Sequence, residues 1–445
     1  MVFVRTTQDH VVAAAASVDP AGWQSLLGEM LLRVGHRFVR VESRRRAGRF
    51  VQGLLAGLAR VNCWTIAEQV GDRTPDGMQN LLSRAKWDVD GVRDDLREVV
   101  VEQLGDQDAV LVIDETGDLK KGVESVGVQR QYTGTAGRIE NSQMSVFLVY
   151  STPAGHTFID RELYLPESWA EDQQRRDRAG VPAETRFTTK SRLALAMITR
   201  ALDAGVRVGW VTGDEAYGKD AAGLRVPLEA REQAYVLAVA CDYRVPGPGE
   251  ASVRADERAA ALPARAWQKL SAGAGAKGRR YYQWARLRLH PAGKTGYHWI
   301  LMRRNRRTGE TAFYRCYSPR RVSLAELARV AGRRWTIEET FQTGKELTGL
   351  DEHQVRTWTS WYRWTTLVML AHAFLAIAAA HARDTPPPEG LIPLTRNEIR
   401  HLYAQLILQP ARKIIDILAW STWRRRHQHH ARQSHYQRRS ETPPA

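Results

Sequence analysis

The run VLVIDETGDLKK at 110–121 brings an apolar stretch to an end on Asp114, and VRVGWVTGDEAYG at 206–218 does the same with Asp214. A third stretch, RRWTIEETFQTGKE at 333–346, has helical spacing and offers Glu338 and Lys345 along neighbouring turns. Carboxylates are hard oxygen donors, and three of them arriving from separate elements can hold two divalent cations. Paired ions of that kind are what in-line cleavage of a phosphodiester needs. Taken singly, each acid has a plain explanation: a polar turn closing a strand for Asp114 and Asp214, a solvated helix face for Glu338 beside Glu339. The weight lies in their joint order, each in a suitable local context.

Periodicity chooses within the acidic pairs. On a strand, Val112 and Asp114 share one direction while Ile113 and Glu115 share the other. On a helix, Arg334, Glu338 and Phe341 lie along one stripe, with Lys345 seven residues beyond Glu338 on that same face. Trp335, Glu339 and Gln342 fall on the adjacent stripe. The first stripe therefore offers a metal ligand flanked by two cations able to contact phosphate.

The bulk properties agree with a polyanionic partner. The formal net charge is +16 at a pI near 10, and each neutralised phosphate releases condensed counterions. Only ten of the 65 basic residues are Lys, a usage that a GC-rich genome also produces, so charge alone favours nucleic acid modestly. With 43% hydrophobic and 26% charged residues over 445 positions, a globular chain of several units is expected. Cys63, Cys241 and Cys316 are scattered without CxxC spacing, which fits a reducing cytoplasm and implies neither disulfides nor zinc. The N-terminus lacks a secretory signal pattern. The apolar stretch at 365–382 is borderline for a membrane span, but His372 interrupts it and a Trp-rich amphipathic segment precedes it, so it reads as a buried core helix.

Five units follow from the pattern. Residues 1–105 read as an N-terminal helical DNA-binding domain, with apolar spacings of three and four in WQSLLGEMLLRV and RFVQGLLAGLARV. Within it, 64–87 has the outline of a helix-turn-helix, Thr74 capping a second helix that begins at Pro75 and carries Gln79, Asn80, Ser83, Arg84 and Lys86. Plain helical packing explains the same outline equally well. At 106–215, three strand-like runs and then alternating helix and strand suggest the first part of an α/β core, a ribonuclease-H-like mixed sheet flanked by helices. Residues 216–325 read as a β-rich insertion, 326–385 as the last part of the core with the glutamate helix, and 386–445 as a C-terminal helix and basic tail.

Read together, the Asp114, Asp214 and Glu338 constellation resembles the DDE transposases of bacterial insertion sequences. The resemblance is to the branch with a β insertion before the glutamate and a Tyr-x2-Arg-x3-Glu-x6-Lys signature. Arg334, Glu338 and Lys345 match that spacing, whereas the Tyr position is Ala331, so its phosphate contact is missing or comes from elsewhere. Longer stretches, RQYTGTAGRIENSQ, DRELYLPESW, GLDEHQVRTW and WYRWTTLVMLAHAFLA, look like the insertion-sequence-701 group, over about residues 20–410. The resemblance implies Asp114, Asp214 and Glu338 as catalytic metal ligands for two Mg²⁺ or Mn²⁺ ions, and Arg334 and Lys345 as DNA phosphate contacts. It further implies double-stranded DNA (transposon ends and target) as partner, a homodimer on that DNA, and a cytoplasmic, nucleoid-associated enzyme that cleaves ends and joins their 3′-hydroxyls to a target. Trp299 is a candidate for stacking on an unpaired base, with a core position the plainer explanation. Arg130 and Asn141 are candidates for substrate contact, against strand pairing. A metal nuclease without strand transfer and a DNA-binding protein without chemistry are the competing readings. The second has no need of three acids.

Overall fold

A computed structural model describes residues 18–246, 252–275, 278–384 and 392–408. The basic tail anticipated near the C-terminus lies outside the described residues.

Five helices come first: α1 (Pro20–Arg33), α2 (Val41–Leu55), α3 (Cys63–Gln69), α4 (Asp76–Ser83) and α5 (Val89–Leu104). Asn62 starts α3 with a reciprocal capping box with Thr65. At α4 the N-cap is Pro75 rather than Thr74, whose hydroxyl instead donates to Asp76. The helix buries Met78, Leu81 and Leu82 and leaves Gln79, Asn80, Ser83 and Arg84 exposed.

Strands β1 (Val110–Leu119), β2 (Val128–Thr133), β3 (Arg138–Ser151) and β4 (His156–Leu163) follow, then α6 (Lys190–Asp203), β5 (Trp210–Gly213), the helical turn α7 (Glu215–Gly218) and β6 (Tyr235–Val239). β4, β3, β1, β5 and β6 are neighbours in that order. The first three pair antiparallel, and β1–β5 and β5–β6 pair parallel. That is the ribonuclease-H-like arrangement expected from the element order. Val110–Ile113 are all buried, as a central strand covered on both faces requires.

A small hairpin, β7 (Arg244–Pro246) with β8 (Ser252–Arg254), precedes four long antiparallel strands: β9 (Gln268–Gly275), β10 (Gly278–Leu289), β11 (Tyr297–Arg304) and β12 (Thr311–Ser318). β12 pairs with β6, so these strands extend the same sheet, which reaches ten strands among the described residues. The β-rich stretch is therefore continuous with the core through its backbone hydrogen bonds.

The chain then forms α8 (Leu324–Arg333), α9 (Trp335–Thr348), α10 (Trp358–Asp384) and α11 (Arg396–Leu406). α10 is long and apolar enough to cross a membrane by length and composition, yet it is almost entirely enclosed by protein. A helix apolar all round needs such a place. It packs between the N-terminal helices and β4, and its His372 bridges Thr157 of β4 (2.8 Å) and Thr343 of α9 (2.9 Å).

Candidate active site

The β1–β5 ladder ends with Ile113 opposite Gly213. The next residues on the two strands are Asp114 and Asp214, which therefore leave neighbouring strands at one level, at a spacing of about 5 Å. Only glycine suits position 213, because an added Cβ would lie 2.7 Å from the Ile113 side chain. This is the crevice at the carboxyl ends of parallel strands, where open α/β sheets bind their ligands. Asp114 accepts from the Glu115 backbone N–H (2.8 Å), and Asp214 caps α7 by accepting from the Ala216 N–H (2.9 Å).

Both carboxylates are short of positive charge. Burial raises Asp114 well above the usual carboxylate range, and the nearby charges of Asp214 and Glu115 raise it further. Asp214 is raised too, by burial and then by Glu115. A pair of buried acids repelling one another is a site into which a cation fits, since a divalent ion supplies the missing charge.

Helix α9 faces the pair through its first turn. Arg334 stands at the junction of α8 and α9, donating to Glu338 at 2.8 Å with its other nitrogen 3.9 Å from Asp114. Burial pushes the guanidinium's pKa down, but the charges of Glu338 and Asp114 outweigh that and hold it above its ordinary value. Arg334 therefore bridges the glutamate to the aspartates. Among the described residues no three His, Cys, Asp or Glu side chains are gathered closely enough for a shared metal; Glu338 is engaged with Arg334. The fit to a cation thus rests on the aspartate pair.

Lys345 lies elsewhere. It borders a small pocket with Thr116, Asp118 and Asp351, at the far end of β1. Burial lowers its ammonium and the charges of Asp351 and Asp118 oppose that shift. Two helical turns separate it from Glu338, about 10 Å along the axis, so the two cations of the stripe address different points.

On the other side of Asp214 a cleft of about 1180 Å³ opens between β9–β12 and the α8–α9 junction. Its lining includes Arg279, Tyr281, Arg303, Arg307, Arg334 and Trp335. Tyr281 is 53% and Trp335 47% exposed, and Arg303 lies over the Tyr282 ring at 4.7 Å. Guanidinium groups interleaved with accessible rings suit a nucleic-acid strand, whose phosphates and bases they meet respectively. Gly332 lets β9 close this cleft, because a Cβ there would strike the Ala272 carbonyl at 1.9 Å. Ala331, at the signature's Tyr position, is buried in the wall.

Trp299 is buried and stacked on Tyr297 at 5.9 Å, whereas Tyr281 and Trp335 of the cleft are accessible. Asn141 donates to the Lys120 and Gly122 carbonyls (2.7 and 2.9 Å), a use of its side chain in holding strands, while Arg130, opposite it across β2–β3, is exposed.

Reasoning from spacing missed three side chains. Glu115 points away from Asp114, as alternation requires, and its two oxygens accept from Tyr217 (2.6 Å) and Lys190 (2.8 Å). Their separations in sequence are 102 and 75, and no local pattern marks so distant a triad.

A model of the DDE superfamily endonuclease family matches residues 34–291, a stretch that contains Asp114, Asp214 and the triad and stops short of α9. The chain is 28% identical over 194 residues to the probable transposase for insertion sequence element IS701 of Microchaete diplosiphon, an alignment covering 43% of this chain and 48% of that protein. It thus matches about half the length of that relative. Among solved structures, the piggyBac transposase synaptic complex with hairpin DNA aligns over 91% of this chain and 84% of its own, at 11% identity and a TM-score of 0.43. By the family match, which spans more than half of its length, the chain belongs to the DDE superfamily of endonucleases.

Proposed function

We propose that this protein is a DNA transposase that cleaves the ends of its own insertion sequence and joins the freed 3′-hydroxyls to target DNA. One observation carries the reading: the Ile113–Gly213 register sets two charge-starved aspartates side by side in the crevice. The family match and the similarity to a transposase add to it.

In this reading Asp114 and Asp214 hold two Mg²⁺ or Mn²⁺ ions, and Glu338 completes the set once Arg334 releases it. The bound ions supply an activated water or 3′-hydroxyl and stabilise the leaving oxygen. The chain's own groups do the rest. Arg334 exchanges its carboxylate partners for a phosphate oxygen near the scissile bond, a fork that guanidinium geometry suits. Lys345 meets the same backbone farther along, and the Arg- and Tyr-lined cleft takes the strand leaving the site. The helices at 1–105 bind the ends, with the exposed face of α4 (Gln79, Asn80, Arg84) set toward a groove. Cutting two ends together calls for two copies of the chain, a homodimer on DNA in the cytoplasm.

The test is an assay with labelled DNA carrying the element's own ends, in Mg²⁺ or EDTA, with wild type beside Asp214→Ala. Joined products that need metal and vanish in the variant are expected. Cutting without joining would replace the proposal with a nuclease. Binding without any metal-dependent chemistry would overturn it. In the same assay Arg303→Ala should weaken binding of DNA with a single-stranded extension about tenfold and flatten its salt dependence by about one phosphate contact; an unchanged slope would remove the cleft from the account.

A further inference from the structure

The ladder that sets Asp114 beside Asp214 ends one residue too early to hold them there. After Gly213 the β5 strand stops, and Asp214 belongs to the short turn α7. Something other than strand pairing must hold that turn against β1.

A set of four linked contacts does so. Gly218, at the end of α7, lies so close to β6 that an added Cβ would be 1.7 Å from the Ala238 carbonyl oxygen, which seats the turn on the sheet. One residue earlier, the fully buried Tyr217 reaches back to β1 and donates its hydroxyl to Glu115 at 2.6 Å. From the opposite side Lys190, at the start of α6, donates to the other Glu115 oxygen at 2.8 Å. Thr189 caps that helix, accepting from the Arg192 N–H, so the lysine too is fixed in place. Finally, the backbone N–H of Glu115 donates to the Asp114 carboxylate. Glu115 is thus tied to both aspartates, through its amide to one and through Tyr217 to the turn that carries the other.

We propose that Tyr217, Glu115 and Lys190 form a strut that sets the separation of Asp114 and Asp214, and so acts as the positioning device for divalent metal at this site. The proposal rests on the reading of those two aspartates as ligands. Glu115 is not itself a ligand here: both of its oxygens are engaged by donors on the face away from α9. Lys190 offsets part of the Glu115 charge, which still adds to the repulsion within the pair. Groups that orient metal ligands without touching the ion typically change metal affinity by 10- to 100-fold when removed.

The experiment is calorimetric titration of Mn²⁺ into the full-length wild type, Tyr217→Phe, Lys190→Met and Asp214→Asn, each with a thermal melt in EDTA. Tyr217→Phe keeps the ring that fills the core and deletes one hydroxyl. It is expected to weaken Mn²⁺ binding about tenfold while the metal-free melting temperature stays within about 2 °C of wild type. Cleavage should then need proportionally more metal, with kcat recovered at saturation. Lys190→Met, at the partly buried outer end of the strut, should weaken Mn²⁺ in the same sense and serves if the fully buried variant folds poorly. Wild-type Mn²⁺ affinity in both variants, with Asp214→Asn impaired, would overturn the strut and leave the ligand assignment standing. Equal binding by wild type and Asp214→Asn would overturn the ligand assignment and the strut with it.

Discussion

Replacing Asp114 or Asp214 by Asn should cut DNA cleavage by about 10³-fold or more, roughly 4 kcal/mol of lost transition-state stabilisation, and should make the metal-free protein more stable. The two effects share a cause. Burial and mutual repulsion hold the Asp114 carboxyl well above its ordinary value of 3.8, so the folded state binds that proton more tightly than the unfolded chain does. The sign follows from linkage: the group stabilises the fold below 3.8 and that contribution is lost as pH rises through the raised folded value. In EDTA, wild-type stability should therefore fall as pH climbs from acid toward neutral, and Asp114→Asn should remove part of that fall. Its melting temperature should match wild type near pH 4 and exceed it by more than about 1 °C at pH 7. Mg²⁺ should raise the wild-type value most where protons compete least, at the higher pH. A variant that is inactive yet no more stable at any pH would show that the pair is not strained by its charge.

The glutamate helix gives the second large effect. Glu338→Gln should lose cleavage by about 10³-fold with end binding intact, whereas Glu339→Gln should lose less than tenfold. Glu338 is tied to Arg334, which faces Asp114. Glu339 turns toward His156 of β4 at 3.4 Å, and that pairing outweighs burial, which acts the other way, and holds its carboxyl below the usual range. His156 also meets the Thr340 hydroxyl at 2.6 Å, so Glu339 belongs to the contacts that seat α9 on the sheet. Its replacement should lower the melting temperature and leave the metal dependence of cleavage unchanged. Equal catalytic losses for the two variants would mean that the glutamate of the site had been misassigned by one residue, a rotation of 100° on the helix.

Much of this arrangement is legible along the chain. Val110–Ile113 are apolar without alternation and Trp210–Gly213 nearly so, Thr212 excepted, the mark of strands covered on both faces, and each run is followed by an aspartate. Alternation places Asp114 and Glu115 on opposite faces, and they do face different helices, α9 and α6. Helical spacing places Arg334 and Glu338 on one stripe, and they are bonded. The same stripe carries Lys345, two turns farther along and beside Asp118 and Asp351, a distance that a shared helix face does not reveal. In 216–325 the runs that become β6, β10, β11 and β12 are visible, whereas β9, a Gly- and Ala-rich segment, is not, and continuity with the core depends on β12 pairing with β6, between residues 74 to 82 positions apart. The Tyr217–Glu115–Lys190 strut is hidden for the same reason: it exists only once three elements are packed. Arg334 as counter-ion to both Glu338 and Asp114 depends likewise on how α9 docks.

The most direct test counts metal at the site. Mn²⁺ binding measured by electron paramagnetic resonance, on the complex with uncleaved end DNA, should give two ions per chain for the wild type and fewer than one for the Asp114→Asn/Asp214→Asn double variant. The same number of bound Mn²⁺ ions in both proteins would contradict the account.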